Sequence, residues 1–335
     1  MLRPFSVSAK VKCRSYSFCL QRAIVDFGAD VSFREAQKKL KEHYNLEIPV
    51  SSIQIISENH AKNIFEYIEN EKTKLKGGNV KQLIAEMDGS MVPIVETTIP
   101  SEGKPDRRRS RCLKWKEARL CFVRDVNQVT PIFYATMGDV ERAGSLLYRA
   151  ALRVGLGIRT KIHGIGDGAK WIVAQMQRVF CKNVNYLIDF YHVSEYLAAA
   201  AEHSWTSEKD KWRRENQDLL KQSKVGEVLE RIVRRLPLDW VREKEKEEEE
   251  ETAVEKCYRY LDNRKECLDY KSAIENDLPI GSGEIESSHR YIIQKRLKIA
   301  GAWWTDEIAE WMLNLRVLRV NNDWEDYWQH RKKAA

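Results

Sequence analysis

Three acids stand where a carboxylate could reach a reaction centre. They are Asp88 in Met87-Asp-Gly89, Asp167 in Gly164-Ile-Gly-Asp-Gly-Ala169, and one of two glutamates in Pro279-Ile-Gly-Ser-Gly-Glu-Ile-Glu286. Carboxylate oxygens are hard donors, and a set of them suits Mg2+ or Mn2+. Two such ions roughly 4 Å apart can activate a water or a 3′-hydroxyl while stabilising a leaving 3′ oxygen, which is the chemistry of phosphodiester cleavage and transfer. The acids are far apart in sequence, so only the fold can gather them. Each also has an ordinary reading. An aspartate before a glycine is a common turn, and the glycine run around Asp167 misses a dinucleotide loop because Ala169 or Lys170 falls where the third glycine belongs. Between the glutamates, helical spacing groups Glu286 with Ile293 and Leu297, and Glu284 with Ser288, Tyr291 and Lys295. Glu286 is therefore expected to face the core and Glu284 the solvent, near the helix start.

The elements that must position these acids change character along the chain. Residues 1–75 read as helices: Leu20, Ile24 and Val25 mark one ending near Phe27-Gly28, while Ser32/Glu35 and Ser51/Gln54 fit capping boxes that would start two more. Tyr44 to Val50 has the length of a tight turn, which gives a helix-turn-helix outline whose second helix would enter a DNA major groove; an ordinary helical bundle is the alternative. After the basic linker Lys72 to Gly78 the period becomes two. Leu83, Ala85 and Met87 alternate with Gln82, Glu86 and Asp88, and this strand should stop at Gly89. Further strands are expected at Met91–Glu96, Trp115–Arg124, Pro131–Met137, Thr160–Gly166 and Val184–Ile188, with helices at Asp139–Val154 and Ala169–Phe180. Strands followed by helix, strand, helix, strand form an α/β core of the ribonuclease-H-like pattern. From Glu195 to about Asn276 the chain is helical and highly charged, including the run Glu247 to Glu251, until Pro279 and Gly281 break it. The resulting division is 1–75, a helical DNA-binding unit; 79–194, the first part of the core; 195–278, an α-helical insertion; and 279–335, the completion of the core.

Lys plus Arg number 57 against 50 Asp plus Glu, a formal +7 that suits an acidic polymer. Arg107, Arg108, Arg109 and Arg111 lie in one basic run, enough charge to track a phosphate backbone. Lys295 and Arg296, with Trp303 and Trp304, form a second DNA-binding candidate in which an indole could stack on an unpaired base. Trp311, Met312 and Leu315 recur at helical spacing and are expected in the core. No apolar run approaches the roughly 18 residues a membrane span needs, and no signal peptide is evident. Seven cysteines without a CxxC pair argue against a disulfide framework or zinc ribbon. The expectation is a soluble cytoplasmic protein, nucleoid-associated when bound to DNA.

The sequence resembles the DDE transposases of ISKra-type bacterial insertion sequences, relatives of the mutator-like group. The likeness is carried by Leu20 to Ala29, Met87-Asp-Gly89, Gly166-Asp-Gly-Ala-Lys-Trp171, Asp189 to Leu197, Gly281 to Glu286, Arg296-Leu-Lys298, and Leu315-Arg-Val-Leu-Arg319 followed by Trp324 and Trp328. The resemblance implies a ribonuclease-H-like core interrupted by a helical insertion, with Asp88, Asp167 and Glu286 as the metal-binding catalytic acids. It also implies that Asp189 and His192 are the Asp-x-x-His element near the DNA-binding face. The expected activity is metal-dependent cleavage and strand transfer on the element's terminal inverted repeats and target DNA, by a homo-oligomer assembled on DNA. The alternative is a non-catalytic DNA-binding regulator derived from such an element.

Overall fold

The computed structural model describes residues 16–70, 78, 80–97, 111–204, 208–236 and 251–334. Lys72 to Gly77, Arg107 to Arg109 and the acidic run up to Glu250 lie outside these residues.

The chain begins with α1 (Phe18–Asp30), α2 (Phe33–Tyr44) and α3 (Val50–Asn70). Ser32 caps α2 as expected, its side chain accepting from the Glu35 N–H. Asn45 ends α2 in the left-handed region, where its short polar side chain is tolerated. The second expected cap does not form. Helix α3 already includes Ser51, because the Pro49 carbonyl takes the N–H groups of Ser52 and Ile53 and starts the helix two residues earlier. Ile24, Ala36, Leu40, Ile48 and Ile53 make a small core among the three helices. Val25, Ala29, Ala61, Ile64 and Ile68 instead join the main core of the molecule.

A five-stranded mixed sheet follows, in the order β3-β2-β1-β4-β5. Its strands are β1 (Gln82–Thr97), β2 (Arg111–Asp125), β3 (Ile132–Thr136), β4 (Lys161–Gly166) and β5 (Val184–Ile188). Strands β1, β4 and β5 run parallel, while β2 is antiparallel to both β1 and β3. The expected break at Gly89 is absent: β1 pairs with β2 continuously from Leu83 to Thr97, so Met91–Glu96 belongs to the same strand. The antiparallel ladder satisfies the backbone through the Asp88-Gly89-Ser90 stretch, which on side-chain pattern alone looks like a turn.

Helices α4 (Val140–Val154) and α5 (Lys170–Phe180) cover one face. Gly164 and Gly166 point toward Met176 and Ile172 of α5, so their missing Cβ atoms admit that helix. By register, Ala85 shares the Gly164 side, and Glu86 and Asp88 point to the other face. That face is covered by α11 (Gly283–His289), a π-helical turn at Arg290–Gln294, α12 (Lys295–Leu297) and α13 (Asp306–Val320). Met312 and Leu315 are fully buried in α13, which packs against both α3 and β3. Asn321 brackets the edge strand, its amide accepting from the Phe133 N–H and donating to the Phe133 carbonyl. The chain closes with α14 (Trp324–Ala334).

Between β5 and α11 stands the helical region: α6 (Phe190–Ser204), α7 (Lys209–Lys221), α8 (Val225–Val233), α9 (Ala253–Asp262) and α10 (Tyr270–Glu275). Thr252 and Glu255 form a reciprocal capping box at the start of α9. Among the described residues, no helix is long and apolar enough to cross a membrane, and the six described cysteines are unpaired.

Candidate active site

Asp167 and Asp189 follow the ends of the parallel strands β4 and β5, and Asp88 lies on the neighbouring β1 where its pairing with β4 stops. Pairing of β1 with β4 ends at Glu86 and Ile165, so Asp88 stands just past the last rung. Asp167 directly follows β4. Asp189 directly follows β5, and its N–H donates to the Gly166 carbonyl at 2.8 Å. Carboxyl ends of parallel strands are where an α/β sheet opens to ligands.

Asp88 accepts the Gly89 N–H at 2.7 Å, and its other oxygen lies 3.1 Å from Nε2 of His289, a buried ring on α11. Gly89 is required by its neighbour: a Cβ there would fall 2.0 Å from Glu117 Oε1, whose carboxylate is held by Arg119 at 2.5 Å. Asp167 Oδ1 accepts the Ala169 N–H at 2.8 Å, closing the turn into α5. The inserted helices grip this turn, since the Tyr260 hydroxyl donates to the Asp167 carbonyl (2.7 Å) and Arg264 Nε to the Gly168 carbonyl (3.1 Å). Gly168 has φ +80°, and a Cβ there would meet Tyr260 Oη at 2.8 Å.

Asp189 is almost wholly buried. One oxygen accepts the N–H groups of Tyr191 (2.6 Å) and His192 (2.9 Å) and so starts α6. The other accepts the Ser282 hydroxyl (2.6 Å) and the Ser282 N–H, fixing the turn that launches α11. Glu86, on the same face of β1 as Asp88, accepts the Ile285 N–H at 3.0 Å. It is 1% exposed, and burial pushes its carboxyl up to about 8. The alternation along β1 places Glu86 on a polar face; α11 covers that face, so the residue is internal.

The two glutamates of α11 have exchanged environments relative to the helical-spacing argument. Glu284 is half-buried and bonded to Arg124 Nε of β2 at 2.9 Å, while Glu286 is exposed. Ile285, Ser288, His289, Ile292, Ile293, Arg296 and Leu297 form the buried stripe. Because Arg290–Gln294 is a π-turn, the stripe advances about four residues per turn there, and extrapolating back from Ile293 at 3.6 stops one residue short, at Glu286 instead of Ile285. Glu286 nonetheless belongs to the acid cluster. Its carboxyl is raised by partial desolvation and by the charges of Asp189, Asp88 and Glu195, with His192 opposing. His192 is half-exposed, with Nδ1 3.6 Å from Glu195 and its ring edge against Tyr196 and Tyr260.

The three acids offer carboxylate oxygens, the donor type that a hard divalent cation takes, and the charges of Asp88 and Asp189 act on Glu286. Among the described residues, no three His, Cys, Asp or Glu side chains converge closely enough to hold a metal ion. Glu86, Ser282, His289, Tyr260 and Arg264 are site residues that the sequence alone does not single out. For Glu86 a signal exists, an acid two residues before Asp88 in a strand, but nothing local marks the others.

The basic candidates separate. Arg107, Arg108 and Arg109 lie outside the described residues. Arg111 opens β2 with its guanidinium 3.5 Å from the centroid of the exposed Trp303 ring. Lys295 is exposed. Arg296 and Trp304 are buried, the guanidinium against both the Phe33 and Trp304 rings and donating to the Gly28 carbonyl, so both serve packing in this structure.

Against known proteins, no curated sequence matches the chain. The Drosophila P element transposase strand transfer complex is similar in structure over 96% of each chain, at 8% identity and a TM-score of 0.41, a likeness too distant to bear on this chain's chemistry. The model of UPF0236, an uncharacterised protein family, matches residues 158–332, a stretch from the start of β4 into α14 that contains Asp167, Asp189 and Glu286. With more than half of its length matched, the chain belongs to the UPF0236 family.

Proposed function

We propose that this chain is a DNA transposase of the DDE type, whose sheet is a ribonuclease-H-like core and whose catalytic acids are Asp88, Asp167 and Glu286. The observation that carries the reading is the placement of Asp88 just past the last rung between β1 and β4 and of Asp167 directly after β4, with the exposed Glu286 in the electrostatic field of Asp88. The strand order β3-β2-β1-β4-β5, the helical insertion between β5 and α11, and the sequence's likeness to ISKra-type transposases agree with it. A nuclease that stops at hydrolysis would share most of this geometry, and the joined product separates the two.

The three acids would hold Mg2+ or Mn2+, which when bound supplies activation of the attacking oxygen and charge stabilisation at phosphorus. The chain's own residues set the stage. Asp189 and Glu86 fix the first turn of α11, the helix that carries Glu286. Tyr260 and Arg264 hold the Asp167 turn, and Arg124 ties Glu284 away from the cluster. In the cleavage step water attacks a phosphodiester, the P–O3′ bond breaks and a 3′-hydroxyl is freed. In transfer that hydroxyl attacks a target phosphorus and displaces its 3′ oxygen. DNA is the substrate and partner, with a homo-oligomer holding two element ends.

The test is Mg2+-dependent strand transfer on the element's own flanking DNA. Asp88→Ala, Asp167→Ala and Glu286→Ala should each abolish joining while retaining DNA binding, and Glu284→Ala should retain joining. Normal joining by any of the first three removes that acid from the mechanism. DNA binding by the wild type without cleavage would favour a regulator.

A further inference from the structure

Beside the Asp167 turn lies a pocket of 380 Å³ whose walls are the stacked Tyr196–Tyr260 pair and the side chains of Lys170, Lys256, Arg259 and Arg264. Among the described residues, no carboxylate lines it. Arg259 is held by Glu251 at 2.8 Å, whereas the exposed Lys170 and Lys256 have no ion-pair partner among the described residues. Lys170 opens α5, whose first turn has no side-chain cap, so that helix end adds partial positive charge to the same space. Arg264 is fixed twice, by the Gly168 carbonyl and by the Tyr260 ring 4.3 Å beneath its guanidinium. The Tyr260 hydroxyl is bonded to the Asp167 carbonyl. The pocket and Asp167 are thus parts of one hydrogen-bonded unit built by the core and the insertion together.

We propose that this pocket holds a backbone phosphate of a nucleic-acid strand passing over the Asp167 turn. Unopposed cations in a partly enclosed, aromatic-walled space recognise a phosphodiester by charge, and the two locked side chains set its distance from Asp167. The choice of a polymer rests on the phosphoryl-transfer reading; the binding itself does not, and it is measured without catalysis. The pocket gives the helical insertion a task, positioning the strand relative to one acid.

The experiment uses the full chain in EDTA and a fluorescein-labelled DNA duplex of random sequence, titrated by anisotropy over a range of salt. Lys170→Glu/Lys256→Glu should raise Kd roughly tenfold at about 0.1 M salt, and reduce the slope of log K against log salt by about 0.9, the contribution of the one phosphate the pocket neutralises. Lys265→Glu/Lys271→Glu, the same reversal at exposed insertion residues outside the pocket, should leave both unchanged. If the reversed variant melts early, Lys170→Gln/Lys256→Gln replaces it and should halve the effect on Kd. Unchanged affinity and slope in a folded pocket variant overturns the proposal. So does inorganic phosphate that binds at the pocket without displacing the duplex, since that assigns the site to a free anion. Normal strand transfer by the acid variants, which would overturn the catalytic reading, leaves this result untouched, so the two readings fail separately.

Discussion

The two halves of the acid cluster are held in place by opposite means. The Asp167 half is braced by donors: a tyrosine hydroxyl and a guanidinium from the insertion bond to the carbonyls of Asp167 and Gly168. The Asp88–Glu286 half is braced by buried acids, Asp189 accepting from Ser282 and Glu86 from Ile285. A hydroxyl on a carbonyl costs little to bury, while a buried carboxylate costs much unless its lone pairs are filled or it stays protonated. The difference teaches that α11, and with it Glu286, rests in part on Glu86, a support that responds to pH.

The largest break should come at Asp189, because its carboxylate ends four hydrogen bonds at once. Asp189→Ala leaves N–H groups of Tyr191, His192 and Ser282 without their acceptor and is expected to cost about 3 kcal/mol or more, read from urea unfolding. A loss under about 1 kcal/mol would mean that the α11 turn is fixed by packing alone.

Glu86 sharpens the comparison through pH. Its folded value is raised to about 8 by burial, above the ordinary carboxylate range. Between those values the unfolded chain has released its proton and the folded chain has not. The folded state binds more protons there, so stability is greatest at low pH and is lost as pH rises toward 8. Glu86→Gln keeps an acceptor for the Ile285 N–H and removes the titration. It should match the wild type near pH 4.5 and exceed it by roughly 3 kcal/mol at pH 8, by thermal or urea unfolding at both values. Parallel curves across that range would show that Glu86 ionises freely in the fold.

The same contrast explains what the sequence disclosed. Strands β4 and β5 follow from short apolar runs closed by Gly-Asp-Gly or by Asp189, and helix α5 from a one-sided stripe of Ile172, Met176 and Phe180. The course of β1 through Asp88-Gly89-Ser90 did not, because the antiparallel ladder with β2 supplies the pairing while the local residues look like a turn. The sides taken by Glu284 and Glu286 were inverted by a π-turn several residues downstream, which no residue near the glutamates announces. The supports of the site were the least visible. Tyr260 lies 93 positions from Asp167, and Ser282 lies 93 from Asp189, so their roles exist only once the insertion and the core have packed.

The smallest expected effect lies in the Asp167 half. Tyr260→Phe removes one hydroxyl donated to the Asp167 carbonyl and keeps the ring stacked 4.0 Å from Tyr196, so it should cost about 1 kcal/mol. The loss should be equal at pH 5 and pH 8, because burial keeps the phenol protonated throughout. Gly168→Ala strains the same turn twice, through its positive φ and through a Cβ 2.8 Å from that hydroxyl. Only the second strain disappears when the hydroxyl is gone. The double variant should therefore be less destabilised than the two single losses combined, by about 0.5 to 1 kcal/mol in a double-mutant cycle. Strict additivity would mean that the hydroxyl and the glycine do not meet, and that the insertion braces Asp167 through Arg264 alone.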